Sequence, residues 1–463
     1  MIANRSLLLS ALFSALVAAP TLAQAPAEVA PGSDTTKSAA PESKDARLVR
    51  PITVQNIRPQ DQRGINVFED PKDPNASFDG FELDWSAAFT QQFQDLSHSN
   101  TAAVRTAKDA TGKDYNANQL VPIGAGFNLA AANLGLNAQL APGIRVSLET
   151  YLSSRHHQEA WVKGGYLLVD QSPIDLPVLN AIMQVVSIKA GMFPLNYGDA
   201  HFRRTDNGNA MYNPFVGNYI VDSWTFEPGM EVYARRNGFL AMVGVTSGLN
   251  KGDVTTPDSR GFAYLGKLGF DRRLSQDLRV RLTGSFYNVS KTPSATLFWG
   301  DRTGSRYFNV LENTQAATNT QAWSGELNPV FTNRLRAVQV NPFVKFRGLE
   351  LFGVIEQGEG KATAEAATRQ LDQYAADVVY RFLPGEKMYV GARYNTVSAE
   401  LPISGKNYDV SVDRGALSAG WFITPMVLVK GEYVTQKYND FPTVDIRNGG
   451  KFHGFMVEGT VAF

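Results

Sequence analysis

Two adjacent arginines, Arg203 and Arg204, lie in a stretch, residues 195–228, that also carries His201, Asp206 and Asp222. Around them stand Tyr197, Phe202, Tyr212, Phe215, Tyr219, Trp224 and Phe226. Charges of both signs on an aromatic frame can set the local potential met by a small charged solute, because a low-dielectric wall focuses the field. An exposed loop seldom carries so much apolar area, so this segment is expected to pack against something. Other chemistry is sparse. The five histidines are His98, His156, His157, His201 and His453. His156 and His157 are adjacent, and neighbouring strand residues point to opposite faces, so the pair reads as a solvated strand tip. No H-E-x-x-H, phosphate-loop, G-x-S-x-G or dinucleotide pattern occurs. The sequence therefore indicates no catalytic residue, no cofactor and no metal site.

The elements that must position this stretch follow from composition and periodicity. Basic and acidic residues balance at 44 each among 463 residues, which argues against a nucleic-acid partner. Cysteine is absent, so disulfides and thiolate metal sites play no part. Glycine (40), Phe (27), Tyr (17) and Trp (6) are plentiful, a mixture suited to twisted sheets and interfacial belts. Mean hydropathy is −0.20. A soluble protein and a transmembrane barrel both read this way, because lumen-facing polar residues dilute lipid-facing apolar ones.

Residues 1–23 read as a signal peptide. Arg5 supplies a positive start, residues 7–19 an apolar core too short to span a bilayer, and Thr21-Leu22-Ala23 small residues for cleavage. Residues 24–77 begin with an Ala-, Pro-, Ser- and charge-rich run that cannot bury enough apolar area to offset ordering entropy. They are expected to form a flexible periplasmic leader. The alternative is a small folded plug, since residues 51–68 carry some apolar side chains.

From residue 78 the pattern becomes alternating. Phe81, Leu83, Trp85, Ala87 and Phe89 interleave with Glu82, Asp84, Ser86 and Ala88. Leu278, Val280, Leu282, Gly284 and Phe286 interleave with Arg279, Arg281, Thr283 and Ser285. Similar runs of about ten residues, enough to cross a bilayer when tilted, recur to the C-terminus. Their number is about sixteen, and single-chain bacterial barrels close with even numbers. Short turns such as Asn237-Gly238 and Arg347-Gly348 alternate with long connections, among them 94–122, 195–228, 290–335, 359–372 and 399–413. The connection at 170–183 is unusually long for the short-turn end. Phe455, Val457, Gly459, Val461 and Phe463 alternate up to a terminal aromatic residue, which resembles the signal read by barrel assembly machinery. The expected fold is all-β, a transmembrane antiparallel β-barrel over 78–463, in contact with outer-membrane lipid.

The polar faces should then line a wet lumen. Arg145, Lys163, Lys189, Arg235, Lys267, Arg279, Arg281, Lys345, Arg381, Arg393 and Lys430 are the basic candidates there, with Glu82, Asp84, Glu149, Glu231, Glu350, Glu356, Asp377, Glu432 and Glu458 nearly as many acids. So even a mixture does not fix ion selectivity by count. If residues 195–228 fold inward as the third outer loop, His201, Arg203, Arg204, Asp206 and Asp222 would form a pore constriction. Packing at the rim or against a neighbouring subunit is the alternative.

Ser187-Ile188-Lys189-Ala190-Gly191-Met192-Phe193-Pro194-Leu195-Asn196-Tyr197-Gly198 resembles a feature of the phosphate-selective porin O and P family, a strand ending in Gly-x-Phe before a Pro, a Gly and a long third loop. The resemblance implies a homotrimeric pore in a bacterial outer membrane, with basic residues guiding anions. This chain departs from the family in placing nearly as many carboxylates as cations in the lumen. The overall expectation is a porin for passive diffusion of small hydrophilic solutes or ions. Its rivals are a channel specific for sugars or other organic solutes, and a non-transporting barrel that acts as an enzyme or adhesin.

Overall fold

The computed structural model describes residue 54, residues 57–72 and the chain from 78 onward, except 129, 154–159, 253, 255–256, 302–303, 305 and 318–322. The expected signal peptide, most of the expected leader and the His156–His157 pair lie outside the described residues.

Alternating sequence becomes a single antiparallel sheet that closes on itself. Sixteen strands make the wall: β1 Glu82–Ser99, β2 Ala131–Ala141, β3 Ile144–Leu152, β4 Trp161–Val169, β5 Val186–Pro194, β6 Phe226–Arg236, β7 Phe239–Thr246 and β8 Ala263–Arg273, followed by β9 Leu278–Val289, β10 Arg334–Phe346, β11 Leu349–Lys361, β12 Arg369–Phe382, β13 Met388–Ile403, β14 Lys406–Thr424, β15 Val427–Asn439 and β16 Lys451–Ala462. A further two-residue strand, Gly126–Phe127, lies against β1. The first and last strands pair from Ala88↔Ala462 to Ser99↔Lys451, and the terminal Phe463 exchanges backbone hydrogen bonds with Ala87. Closure leaves no wall strand with an unpaired edge, as hydrocarbon requires.

Inside and outside follow the period of two. Val243, Leu282 and Val378 on the outer face are 64%, 52% and 39% exposed, whereas their inward neighbours Thr283 and Val379 are 1% and 0%. Phe270, Phe346, Tyr380, Trp421, Tyr433 and Phe455 belong to the same outward parity. Both ends of the wall chain share one rim, the periplasmic one in such barrels, with turns such as Asn237-Gly238 and Arg347-Gly348. There Asn237-Gly238 forms a turn with both residues at positive φ (53° and 83°), the conformation that glycine and asparagine tolerate best.

The unusually long connection after β4 is present and holds a short helix, α1 Pro177–Met183. Two other connections depart from expectation. The connections expected at 359–372 and 399–413 are short, because the strands continue. β13 and β14 meet in a two-residue turn, Ser404-Gly405, with φ of 50° and 80°. Polar residues there alternate too regularly with Val397, Leu401, Val410 and Val412 to be a loop, and those four are buried on the inner face.

The inner face is filled rather than open. Residues 195–225 (loop L3) and the described residues of 290–333 (loop L5) fold into the barrel, and Val216, Ile220, Val221, Leu297, Phe298, Tyr307 and Val310 form one apolar core with inward residues of the wall such as Met242, Leu265, Tyr287 and Phe452. Residues 57–72 are also packed within it. Asp61, Asn66 and Phe68 are buried there. Within the expected leader, the described residues 57–72 are thus packed, as in the alternative of a small folded plug, because a charged lumen can take polar residues that an apolar core could not.

Charge on the two ends of an outward stripe should cost different amounts. Val243→Arg and Leu282→Arg should each lower unfolding free energy by about 2–4 kcal/mol, and Phe346→Lys, at the periplasmic rim, by about 1 kcal/mol or less. Urea unfolding in phospholipid vesicles measures this, and equal losses at the three sites would contradict the assigned membrane depth.

Candidate functional site: the lumen and its third loop

L3 crosses the barrel. Its tip is a tight turn, Asp206–Asn209, with reciprocal backbone hydrogen bonds and Asn207 at φ 51°. The Asn207 amide donates to the carbonyls of Ala132 and Leu152 and to Asn133 Oδ1, and the Thr90 hydroxyl donates to the Gly208 carbonyl. A Cβ on Gly208 would stand 2.7–2.8 Å from backbone atoms of β1 and β2, so only glycine lets the tip seat there. The other flank reaches the opposite wall. Tyr219 donates to Asp377, the Ile220 N–H to Asn395 and the Val216 N–H to Glu432.

The five residues expected at a constriction are all in this loop and inside the barrel, but in different roles. Arg203 is paired with Glu350 and bonded to Asn66. Arg204 is paired with Asp222 and lies 3.6 Å from Asp206, which also pairs with Lys163. Both arginines are 2–3% exposed, so each is a buried ion pair that holds the loop and not a free charge at an opening. Desolvation offsets most of the attraction in such a pair, while loss of one partner strands the other. His201 lies with its ring 3.8 Å from Phe202 and stacked at 5.8 Å on Trp224, and its Nδ1 is 3.2 Å from the Tyr197 carbonyl. Since a carbonyl only accepts, Nδ1 carries the proton there. Burial, reinforced by Lys267, holds this imidazole well below its usual pKa and therefore neutral.

The expected lumen-lining cations all point inward, and most are likewise consumed by pairing. Arg393 grips Asp377 with two bonds of 2.7 and 2.8 Å. Arg381 bonds Glu350 at 2.7 Å, Lys345 lies 2.8 Å from Glu386, and Arg279 pairs with Asp271 at 2.6 Å. Lys267 and Arg281 share Asp199 of L3. Lys189 and Arg235 differ. Lys189 sits over the rings of Tyr166 (4.5 Å) and Phe193 (4.8 Å), with Glu231 at 4.0 Å. Arg235 bonds the Asp70 carbonyl and the Ser187 hydroxyl.

These two cations face the space that remains, a cavity of about 220 Å³. One side is the inner face of six consecutive strands, from Ser86 and Asn133 through Asn137, Ser147 and Glu149 to Lys189 and Arg235. The other side is L3 and the 57–72 segment, presenting Arg58, Asp70, His201, Asn209, Tyr212 and Trp224. L3 fills one half of the lumen, and its tip is pinned to β1–β4 above this cavity. Arg58 was not foreseen. It donates to the Gly64 and Phe202 carbonyls and lies 3.7 Å over the Tyr212 ring. The resemblance run also has a physical reading here. Gly191 (φ 139°) would bring a Cβ to 2.4 Å from the Gly165 carbonyl of β4, and Gly198 (φ 66°) leaves room for the Gln339 side chain.

Replacing Arg204 with Met leaves Asp222 buried without its cation and should cost about 3–5 kcal/mol. The expected readout is a lower temperature for loss of the heat-modifiable band, in contrast to a change of ion selectivity. For His201 the folded pKa is depressed, so the unfolded chain binds the extra proton first and stability falls as pH drops below about 6.5. Thermal unfolding at pH 7.5 and pH 5 should show that loss in the native chain, and His201→Gln should reduce it.

No protein-family model matches this chain, and no curated protein matches it. Among solved structures it is similar to an anion-selective porin from Comamonas acidovorans, at 12% identity over 83% of this chain and 100% of that one, TM-score 0.49. It is similar to the outer-membrane channel DcaP of Acinetobacter baumannii, at 11% identity over 84% and 99%, TM-score 0.46. It is also similar to a loop-deletion mutant of the outer-membrane protein OmpT of Vibrio cholerae, at 10% identity over 83% and 100%, TM-score 0.48. Likeness this distant leaves the assignment to the molecule itself: a closed sixteen-stranded barrel with an apolar outer face, the architecture of a bacterial outer-membrane protein.

Proposed function

We propose that the protein is a narrow outer-membrane porin through which small hydrophilic solutes or ions diffuse passively, with a weak preference for anions. The observation that carries this reading is the cavity beside β1–β6, the wet remainder of an otherwise filled barrel. Its wall is built of small polar residues, which give passing solutes hydrogen bonds without tight binding. Its charges are unequal in availability. Asp206 and Glu69 are spent on Lys163, Arg204, Lys267 and Arg281, whereas Lys189, Arg235 and Arg58 rest largely on carbonyls, a hydroxyl and aromatic faces, three cations against the two further lining acids Glu149 and Asp70. The reading requires no catalytic group and leaves the protein a non-enzyme. A homotrimer in the outer membrane is the assembly we propose for it.

A second reading, a channel selective for sugars or other ring-bearing solutes, is favoured by Tyr166, Tyr212 and Trp224 on the cavity wall, since aromatic faces suit apolar ring surfaces.

Planar-bilayer recording tests both. Lys189→Gln with Arg235→Gln should move the reversal potential in a salt gradient toward cation preference. Deletion of the L3 tip, residues 206–209, should raise unitary conductance. A purified, folded protein that gives no conductance would refute the pore reading. Block of the ion current by a sugar at millimolar concentration, relieved by Trp224→Ala, would favour the second.

A further inference from the structure

Residues 57–72 form a strap across the periplasmic mouth. At one end the Gln62 N–H donates to the Pro425 carbonyl and its side chain to the carbonyls of Gly385 and Glu386, all in periplasmic turns. At the other end Lys72 donates to the carbonyls of Asp170 and Val186. Between them the strap meets cations from three wall strands and L3. Arg203 bonds the Asn66 side chain, and Arg279 donates to the Asn66 carbonyl at 2.9 Å. Arg281 and Lys267 reach the Glu69 carboxylate at 2.9 and 3.3 Å, and Arg235 bonds the Asp70 carbonyl. The Phe68 ring packs under Arg281 (4.2 Å) and Arg279 (5.4 Å) and edge-on against Phe202 and Phe343.

These cations share few carboxylates of the wall and L3. Glu350 serves Arg203 but also Arg381 and Lys345, Asp271 serves Arg279 and Arg281, and Asp199 serves Arg281 and Lys267. The strap supplies the remaining acceptors, and one of them is a full carboxylate. Its other contacts are again mostly polar: the Asn66 amide donates to Glu350, Arg58 donates to the Phe202 carbonyl and lies over the Tyr212 ring, Tyr212 donates to the Pro59 carbonyl and Asn209 to the Gln60 side chain, and Phe68 is the strap's one buried aromatic side chain. A segment held mainly by charge and hydrogen bonds is one that a competing ion can release, because each bond it gives up can be replaced in kind.

We propose that the strap is an intramolecular competitor for anions: Glu69 occupies, at Lys267 and Arg281, the place of the carboxylate or phosphate group of an incoming solute, and such solutes displace the strap and widen the passage. The proposal rests on the pore reading above for its consequence in transport, but the displacement itself is observable without transport. Asp199 stays on the same two cations in either state, so the site left by Glu69 carries a modest positive excess, suited to weak, exchangeable binding.

The chain has no cysteine, so Val67→Cys gives one thiol on the strap. Its reaction with a neutral maleimide is measured in the full-length protein in vesicles, in sodium phosphate, sodium succinate and sodium chloride at matched ionic strength. Labelling should be several-fold faster in phosphate and succinate than in chloride. Glu69→Gln added to Val67→Cys should label fast in all three salts, and Glu69→Asp should restore the dependence. Acceleration by phosphate alone would narrow the solute class to phosphate and still support displacement. Equal rates in the three salts, with no effect of Glu69→Gln, would overturn the proposal. Heat-modifiable migration confirms that each variant is folded. In parallel bilayer recordings, Glu69→Gln should raise unitary conductance. Absence of current in every variant, with the labelling pattern as expected, would refute the pore and leave the strap competitor standing.

Discussion

The interior of this barrel depends on charge matching. A sheet closed in hydrocarbon satisfies its backbone by itself, and the outer face needs only apolar side chains. The inner face is harder, because it carries arginines, lysines and carboxylates whose burial unpaired would cost several kcal/mol each. An open lumen would solve this with water. Here much of it is solved with protein: Asp199 and Asp222 of L3 and Glu69 of the strap lie against wall or loop cations, and Arg203 against a wall carboxylate. The inserted segments can enter only because their charges complement those already on the wall.

That matching explains why one part of the lumen is left wet. Around β7–β16 the inward residues include Met242, Leu265, Tyr287, Val379 and Phe452, and L3 and L5 bring apolar side chains to meet them. Around β1–β6 the inward residues include Ser86, Asn133, Asn137, Ser147 and Lys189, beside the rings of Tyr166 and Tyr233. The L3 tip meets this wall by hydrogen bonds from Asn207 and the close seat of Gly208. The cavity lies where the wall offers mostly polar side chains.

Strand number, closure and the inside–outside parity were legible in the sequence, because a period of two is local and survives whatever fills the barrel. Leu278–Val289 shows this directly: outward Leu282 and inward Arg281 fall where alternation places them. The loop at 399–413 was misread because turn residues were weighed above alternation, and Ser404-Gly405 needed only two positions to reverse the chain. The state of the lumen charges was not legible. Period two says that Arg381 and Arg393 point inward, but not that Glu350 and Asp377 are there to meet them, since those contacts cross strands. A packed segment over 51–68 was open as the alternative to a flexible leader, but its polar contacts were not legible, because only the cations gathered opposite Asn66 and Glu69 make their burial favourable.

Two kinds of buried pair differ in what they join. Arg204 with Asp222, and Arg393 with Asp377, are bidentate or nearly so and join parts that cannot separate without dismantling L3. They fix the loop and with it one boundary of the cavity. Arg235 rests on a backbone carbonyl of the strap, and Lys267 and Arg281 share its single carboxylate. These contacts join the strap to the wall, as others join it to L3, and none belongs to the backbone ladder that closes the sheet. The rigid pairs thus provide the frame, and the shared ones provide the places where a solute's charge can substitute for the protein's own.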